Sequence, residues 1–224
     1  MKGPYAIQSP EIRYQHIRQL VRHVEPLSVV EVGSWLGSSA IAWAQGMREI
    51  GLTDGRVWCV DPWAPYDGGC GTVMQHMQVL LSTDAELIMA KFRENVKAAG
   101  VSDMVRTIRA TWAEATELMR DPKIDILYLD GSHKYESAVH DIWSARGFGL
   151  TVYAKTLCGD DLEAMIGVDV SEEQCRKDLE HDAAPLPGGG YYHPGVTMAV
   201  WEVLKNEVTV YDGFWIAGDV NIYD

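Results

Sequence analysis

Hydrophobic and polar residues follow one another along this chain in a pattern typical of strands that lead into helices. The clearest example runs from Leu27 to Gly37, where apolar and β-branched residues end in an acidic residue and two glycines. Apolar residues with helical spacing follow, at Ala40, Trp43, Met47 and Ile50. The pattern predicts a buried strand, a tight turn and a helix.

The same succession recurs along the rest of the chain. Further strands are predicted at 56–60, 104–109, 124–129 and 151–158, with helical patterns between them. A leading helix is predicted to start at Ser9-Pro10-Glu11, a short helix at the capping box Ser171 to Gln174, and a longer helix over 196–204. A hairpin around Asp212-Gly213 closes the chain. Five strand–helix units and a hairpin predict an α/β fold with a mostly parallel sheet.

Length and composition indicate one domain. The 224 residues, 47% of them apolar, suit a single core over 1–224, with a helical segment at 1–26 and an α/β core at 27–224. Four cysteines lack any CxxC spacing, so we expect reduced thiols.

The net charge indicates which classes of partner the protein is expected to bind. A net charge of −13 disfavours nucleic-acid backbones and anionic membranes. The chain has neither an apolar signal segment at its start nor a run of about 18 apolar residues that would span a membrane. We therefore expect a soluble, cytoplasmic protein that binds a small molecule, and we leave self-association into a homo-oligomer open.

The glycine turn after the first strand is a candidate cofactor site, because ligands of open parallel sheets bind at the carboxyl ends of strands. A dinucleotide fingerprint starting at Gly33 would need glycine at Trp35 and Ser38, and a P-loop would need a lysine that is absent. The motif Glu31-x-Gly33-x-x-x-Gly37 instead resembles the first motif of the class I S-adenosylmethionine-dependent methyltransferases.

Two further segments are candidate contacts for that cofactor. Asp61 follows Gly37 by about 24 residues, close to the ~20-residue offset at which an acid binds a ribose in related folds. The resemblance places Thr111 and Trp112 beside an adenine, although Trp112 fits the hydrophobic core equally well. The candidate cofactor-binding residues are Glu31, Gly33, Ser34, Gly37, Asp61, Trp63, Thr111, Trp112 and Asp130.

Acidic residues and a histidine follow the fourth and fifth predicted strands, in Asp130-Gly131-Ser132-His133 and Gly159-Asp160-Asp161. Carboxylates from neighbouring strand ends suit a hard divalent cation such as Mg²⁺. His133 is expected near a helix start, where the helix dipole lowers an imidazole pKa and keeps a general base neutral. The alternatives are a helix cap for Asp130, a solvated turn for the acidic pair and a surface position for His133.

The segments Leu129 to Glu136, Gly159 to Asp161 and His193 to Val196 together resemble the metal-dependent small-molecule O-methyltransferases, which include macrolide-sugar enzymes and cephalosporin hydroxylase-like proteins. The resemblance implies a Rossmann-like class I methyltransferase fold, with a seven-stranded, mostly parallel sheet, helices on both faces and a C-terminal β-hairpin. It also implies S-adenosylmethionine as cofactor, Mg²⁺ bound by Asp130, Asp160 and Asp161, and His133 as the base. The chain departs from that family at 149–152, where Gly-Leu-Thr-Val replaces the usual Pro-Gly-Gly.

The predicted function is therefore Mg²⁺-dependent methyl transfer from S-adenosylmethionine to a hydroxyl of a small molecule, such as a sugar, a glycoside or another natural product. The alternative is a non-catalytic module on the same fold that binds S-adenosylmethionine or a nucleotide. The loops 67–83 and 185–194 are expected to close over the ligands, and His193 could touch the substrate.

Overall fold

The computed structural model describes residues 10–64, 85–118, 123–147 and 154–223. A seven-stranded sheet forms its centre. Its strands are β1 (Ser28–Val32), β2 (Arg56–Val60), β3 (Val105–Ile108), β4 (Ile126–Leu129), β5 (Thr156–Gly159), β8 (Val208–Tyr211) and β9 (Phe214–Ala217). Their order in the sheet is β3-β2-β1-β4-β5-β9-β8. The first five are parallel, and β9 runs antiparallel to both β5 and β8. The predicted fold class is confirmed.

Helices cover both faces of this sheet. They are α1 (Glu11–Val24), α2 (Ser38–Glu49), α3 (Ala85–Ala98), α4 (Trp112–Leu118), α5 (Tyr135–Gly147), α6 (Glu172–Asp178) and α7 (Pro194–Leu204). Val29 packs with α1, α2 and α3, whereas its neighbour Val30 packs with α4, α5 and α7. Successive strand residues face opposite sides of a sheet, so each buried strand serves two cores.

The segment between β5 and α7 forms a small layer of its own. It contains α6 and a two-stranded pair, β6 (Ala184–Pro185) with β7 (Tyr191–Tyr192), over a core that includes Ile166, Cys175 and Met198. The loop predicted from Pro185 onward is therefore flanked by paired strands, where proline is tolerated because an edge strand need not donate every N–H.

The starts of α1 and β5 differ from the sequence prediction. Pro10 caps α1 in an extended conformation instead of occupying its first turn. Strand β5 begins at Thr156 rather than at 151, and residues 151–153 lie outside the described part. The loop predicted at 67–83 also lies outside it.

Two other sequence expectations concern membranes and cysteines. Among the described residues, no helix is long and apolar enough to cross a membrane. Cys59, Cys158 and Cys175 are buried free thiols, as expected, and Cys70 falls in an undescribed segment.

Candidate active site

The glycine turn after β1 encloses a buried carboxylate. Ser34 Oγ donates to Glu31 Oε2 at 2.6 Å, while Glu31 Oε1 has no hydrogen-bond partner in the described part of the chain. Burial raises the pKa of Glu31 to about 7, against the lowering effect of the Ser34 hydrogen bond. The turn therefore presents a carboxyl group that can gain or lose a proton near neutral pH.

Asp61, at the end of β2, braces the same turn. Its Oδ2 accepts hydrogen bonds from the backbone N–H groups of Ser34 at 2.9 Å and Trp35 at 2.8 Å, and its Oδ1 accepts from Trp63 N–H at 2.5 Å. Burial raises the pKa of Asp61, and these three amide bonds oppose the rise. The carboxylate thus fixes the shape of the turn, and the ribose contact stays a prediction.

Gly33 and Gly37 are required by protein packing. Gly33 has a φ of +86°, and a Cβ there would lie 1.8 Å from the carbonyl oxygen of Asp130. Gly37 has a φ of +88°, and a Cβ there would lie 2.9 Å from the Phe92 ring. Both glycines let other parts of the protein approach closely, the end of β4 at Gly33 and helix α3 at Gly37, and their contact with a cofactor stays a prediction.

Two tryptophans predicted near the cofactor lie in the hydrophobic core. Trp63 is fully buried against Phe92, and its Nε1 donates to the carbonyl of Trp35 at 2.9 Å. Trp112 is 4% exposed, and its Nε1 donates to Ser144 Oγ at 3.0 Å. This placement favours the core alternative for Trp112, and contact of either residue with a cofactor stays a prediction.

Thr111 caps helix α4. Its N–H and Oγ1 both donate to Glu114 Oε2 at 2.8 Å, and its Oγ1 accepts from the Glu114 N–H at 3.3 Å. This reciprocal pair is a capping box, so a structural role accounts for the Thr111 side chain.

The carboxyl ends of β4 and β5 bring Asp130, His133 and Asp161 together. One donor atom from each residue lies within 4.8 Å of the other two, a spacing that could hold a metal ion. His133 Nε2 lies 3.0 Å from Asp161 Oδ2, and the Tyr128 hydroxyl donates to Asp130 Oδ2 at 3.2 Å. Burial and the charge of Asp161 raise the pKa of Asp130. Although burial acts in the same direction on Asp161, the charge of His133 lowers the pKa of that carboxyl.

Asp160 has a different partner from these three residues. Its buried carboxylate pairs with Arg13 of α1, and its Oδ1 also accepts the N–H of Asp161 at 2.9 Å. Of the three predicted metal ligands, the structure brings two together and pairs the third with arginine.

The predicted pKa of His133 is wrong in direction. Although burial lowers it, Asp161 and Asp182, the latter 3.3 Å from Nδ1, raise the pKa of His133 well above its usual range. Because His133 precedes the first residue of α5 by two positions, the helix dipole acts weakly, whereas two carboxylates lie in direct contact.

Three further residues complete the cluster. His193 Nδ1 lies 3.0 Å from Glu163 Oε2 and 3.9 Å from Asp161 Oδ1, and its ring centroid is 4.2 Å from that of His133. Sequence reasoning singled out His193 but missed Glu163 and Asp182. Glu163 lies two residues after the acidic pair, which is a usable signal, whereas nothing in the local sequence marks Asp182.

A small cavity opens beside these groups, between the ends of β4 and β5 and helices α5 and α7. Its lining includes Asp130, His133, Asp161, Val196 and Trp215. Asp141 also contributes, and burial raises the pKa of this carboxyl to about 6. The cavity joins an acidic, histidine-containing wall to an apolar wall.

The sequence matches one described protein family over a continuous region. Residues 30–148, more than half of the chain, match the family described as a methyltransferase domain. The protein belongs to this methyltransferase family, as its sequence predicted. The matched region contains the glycine turn, Asp61, Asp130 and His133, whereas Asp161, Asp182 and His193 lie beyond it.

Solved structures with the same fold include three methyltransferases. The SAH-bound methyltransferase PaMTH1 of Podospora anserina is 15% identical, with a TM-score of 0.57 over 95% of this chain and 80% of that one. The O-methyltransferase of Bacillus cereus in complex with SAH is 15% identical (TM-score 0.55, 95% and 82%). The O-methyltransferase TomG of Streptomyces achromogenes, in complex with SAM and involved in tomaymycin synthesis, is 15% identical (TM-score 0.54, 93% and 79%). At this identity the likeness establishes the fold. A search of curated proteins finds no match.

Proposed function

We propose that this methyltransferase transfers the methyl group of S-adenosylmethionine to a hydroxyl of a small molecule with the help of a divalent cation. The observation that carries this proposal is the contact between Gly33 and the carbonyl of Asp130. It joins the glycine turn to the acidic cluster, so a cofactor at the turn and an acceptor at the cluster would be neighbours. In-line transfer requires that proximity.

The glycine turn is the proposed cofactor site. Glu31 offers a buried carboxylate oxygen without a hydrogen-bond partner in the described chain, which suits the ammonium group of an amino acid moiety. Asp61 holds the turn from the position that the sequence assigned to ribose binding. The three structural neighbours carry SAH or SAM in their solved structures, which supports the same cofactor here.

The donor set at the cluster fits a divalent cation. Asp130 and Asp161 would hold it through carboxylate oxygens, as Mg²⁺ prefers, and its other positions would stay open to water or substrate. A bound cation would lower the pKa of a coordinated acceptor hydroxyl and favour its ionised form. Asp160 pairs with Arg13 through Oδ1 and thereby anchors α1, and its part in metal binding stays a prediction.

His133 is the proposed general base. Its Nε2 faces the cluster at Asp161, and its Nδ1 faces Asp182, which can stabilise the imidazolium that forms when Nε2 accepts the hydroxyl proton. The raised pKa means that His133 must first lose its proton. A cation bound to Asp161 would neutralise the negative charge that stabilises this proton, and the pKa of His133 would fall.

The acceptor is proposed to be a neutral, hydroxyl-bearing natural product such as a sugar or a glycoside. The acidic side chains of Asp130, Asp141 and Asp161 line the cavity and disfavour an anionic acceptor. Val196 and Trp215 provide apolar contacts. The involvement of TomG in tomaymycin synthesis supports a natural product as the class of acceptor. A non-catalytic module would account for Glu31 and Asp61 but would leave the Asp130–His133–Asp161 group without a role.

Calorimetric titration with S-adenosylmethionine, and separately with NAD⁺ and ATP, tests the cofactor assignment. We expect saturable binding of S-adenosylmethionine alone. Binding of NAD⁺ or ATP in its place would contradict the proposal, and a methyl-transfer assay then tests the reaction.

A further inference from the structure

Beyond the cation assigned above, we propose that the same cluster has a second divalent-cation position, formed by Asp161, Glu163 and His193. One donor atom from each of these three residues lies within 4.8 Å of the other two. The first cation position is part of the proposed function. The second position is inferred from the arrangement of its own three ligands.

The two oxygens of Asp161 face different partners. Its Oδ2 lies 3.0 Å from His133 Nε2, on the side of Asp130, whereas its Oδ1 lies 3.9 Å from His193 Nδ1. A carboxylate with each oxygen turned to a different ligand group can bridge two ions. Bridged ions in two-metal sites lie about 3.5–4 Å apart.

The donor spacing fits direct coordination. At a metal–ligand distance of about 2.1 Å, donors at right angles are about 3.0 Å apart and opposite donors about 4.2 Å apart. The measured separations of His193 Nδ1 from Glu163 Oε2 and from Asp161 Oδ1 are 3.0 Å and 3.9 Å. Both values fall in that range, so an ion needs little rearrangement of these side chains.

Backbone contacts hold the ligands in place. A Cβ at Gly195 would lie 2.0 Å from the carbonyl oxygen of His133, so the start of α7 packs directly on the segment that carries the first histidine. Thr197 N–H donates to the carbonyl of His193 at 3.0 Å, and Thr197 Oγ1 donates to the carbonyl of Ala164, beside Glu163, at 3.1 Å. One buried threonine thus ties the two new ligands together.

The cluster contains more acidic groups than basic ones. Asp130, Asp161, Glu163 and Asp182 bring four carboxylates to one site. Arg13 lies 3.6 Å from Glu163, but this arginine also pairs with Asp160. The acidic groups of the cluster therefore outnumber its positively charged groups, which favours the binding of cations.

The imidazole ligand indicates which ion the second position takes. Mg²⁺ prefers oxygen ligands, whereas Mn²⁺ and the later divalent transition metals accept a mixture of carboxylate and imidazole. We therefore assign the second position to a transition-metal ion, with Mn²⁺ as the probe.

The experiment measures Mn²⁺ binding to the full chain by calorimetry and by electron paramagnetic resonance, without any turnover. We expect two ions per chain and a spin-coupled spectrum for the wild type. His193→Ala and Glu163→Gln should each weaken the second ion by about 100-fold or more and give an uncoupled spectrum, with the first ion retained. His23→Ala, which removes an exposed histidine of α1, is the matched control and should bind two ions.

One ion per chain with an uncoupled spectrum in the wild type would overturn the second position, even if a variant failed to fold. Two coupled ions in both His193→Ala and Glu163→Gln would overturn the assignment of these ligands. Two coupled ions without methyl transfer would instead contradict the proposed function and leave the second position standing.

Discussion

His133 Nε2 lies 3.0 Å from Asp161 Oδ2, so the proposed base and a proposed metal ligand form an ion pair across the ends of two adjacent strands. The pair links proton transfer to metal binding. A cation that neutralises Asp161 also lowers the pKa of His133, because that carboxylate no longer stabilises the imidazolium.

This pairing predicts a pH-dependent stability. The pKa of His133 is higher in the folded protein than the unfolded value of about 6.5, so its protonation stabilises the fold fully below that value. The contribution is lost as the pH rises through the folded pKa. Asp161→Asn should lower the His133 pKa in an NMR titration and reduce this loss in urea unfolding. An unchanged His133 pKa in Asp161→Asn would contradict the pairing.

Glu31 gives a second pH dependence, at lower pH. Its folded pKa of about 7 exceeds the ordinary glutamate value of 4.5, so the folded protein binds the proton more tightly than the unfolded chain does. The free energy of unfolding therefore falls as the pH rises from 4.5 to about 7. The difference corresponds to about 3 kcal/mol. Glu31→Gln, which cannot ionise, should flatten the curve of unfolding free energy over this range. A curve of unchanged slope would show that Glu31 ionises normally.

Asp61→Ala should loosen the glycine turn. Three backbone N–H groups lose a shared acceptor, so we expect a loss of about 2–4 kcal/mol in unfolding free energy and weaker binding of S-adenosylmethionine. Asp54→Ala is the matched control, because Asp54 is an exposed turn residue just before the same strand. Equal stability of the two variants in urea would refute the bracing role of Asp61.

Gly33→Ala tests the contact between the turn and the end of β4. A methyl group there would overlap the carbonyl of Asp130, so we expect a loss of at least about 4 kcal/mol. Gly51→Ala is the control, since Gly51 has a φ of +84° and a Cβ there would meet nothing within 4 Å, and it should lose only about 1–2 kcal/mol. Thermal unfolding of both variants separates the cost of backbone strain from the cost of overlap with Asp130. Similar losses of stability in the two variants would contradict the contact between Gly33 and Asp130.

The elements that could be predicted from the sequence are those set by local signals. The hairpin at Asp212-Gly213 and the cap at Ser171 lie where the sequence placed them, because turn and capping residues act within a few positions. The mostly parallel sheet followed from five repeated strand–helix units.

The details of the site depended on contacts between distant residues. Arg13 reaches Asp160 from the other end of the chain, and Asp182 reaches His133 from the layer between β5 and α7. No local pattern indicates such contacts. The predicted direction of the His133 pKa shift is wrong for that reason, because the shift depends on two carboxylates that only the fold brings near.

The most direct measurement follows methyl transfer from isotopically labelled S-adenosylmethionine to a panel of sugars, glycosides and phenols, detected by mass spectrometry. We expect a methyl ether product whose formation stops in a metal chelator and returns when Mg²⁺ or Mn²⁺ is added. We also expect that His133→Ala lowers kcat by about 10²–10⁴-fold while S-adenosylmethionine still binds. Undiminished product in the chelator would contradict the metal role, and full activity of His133→Ala would contradict its role as the base.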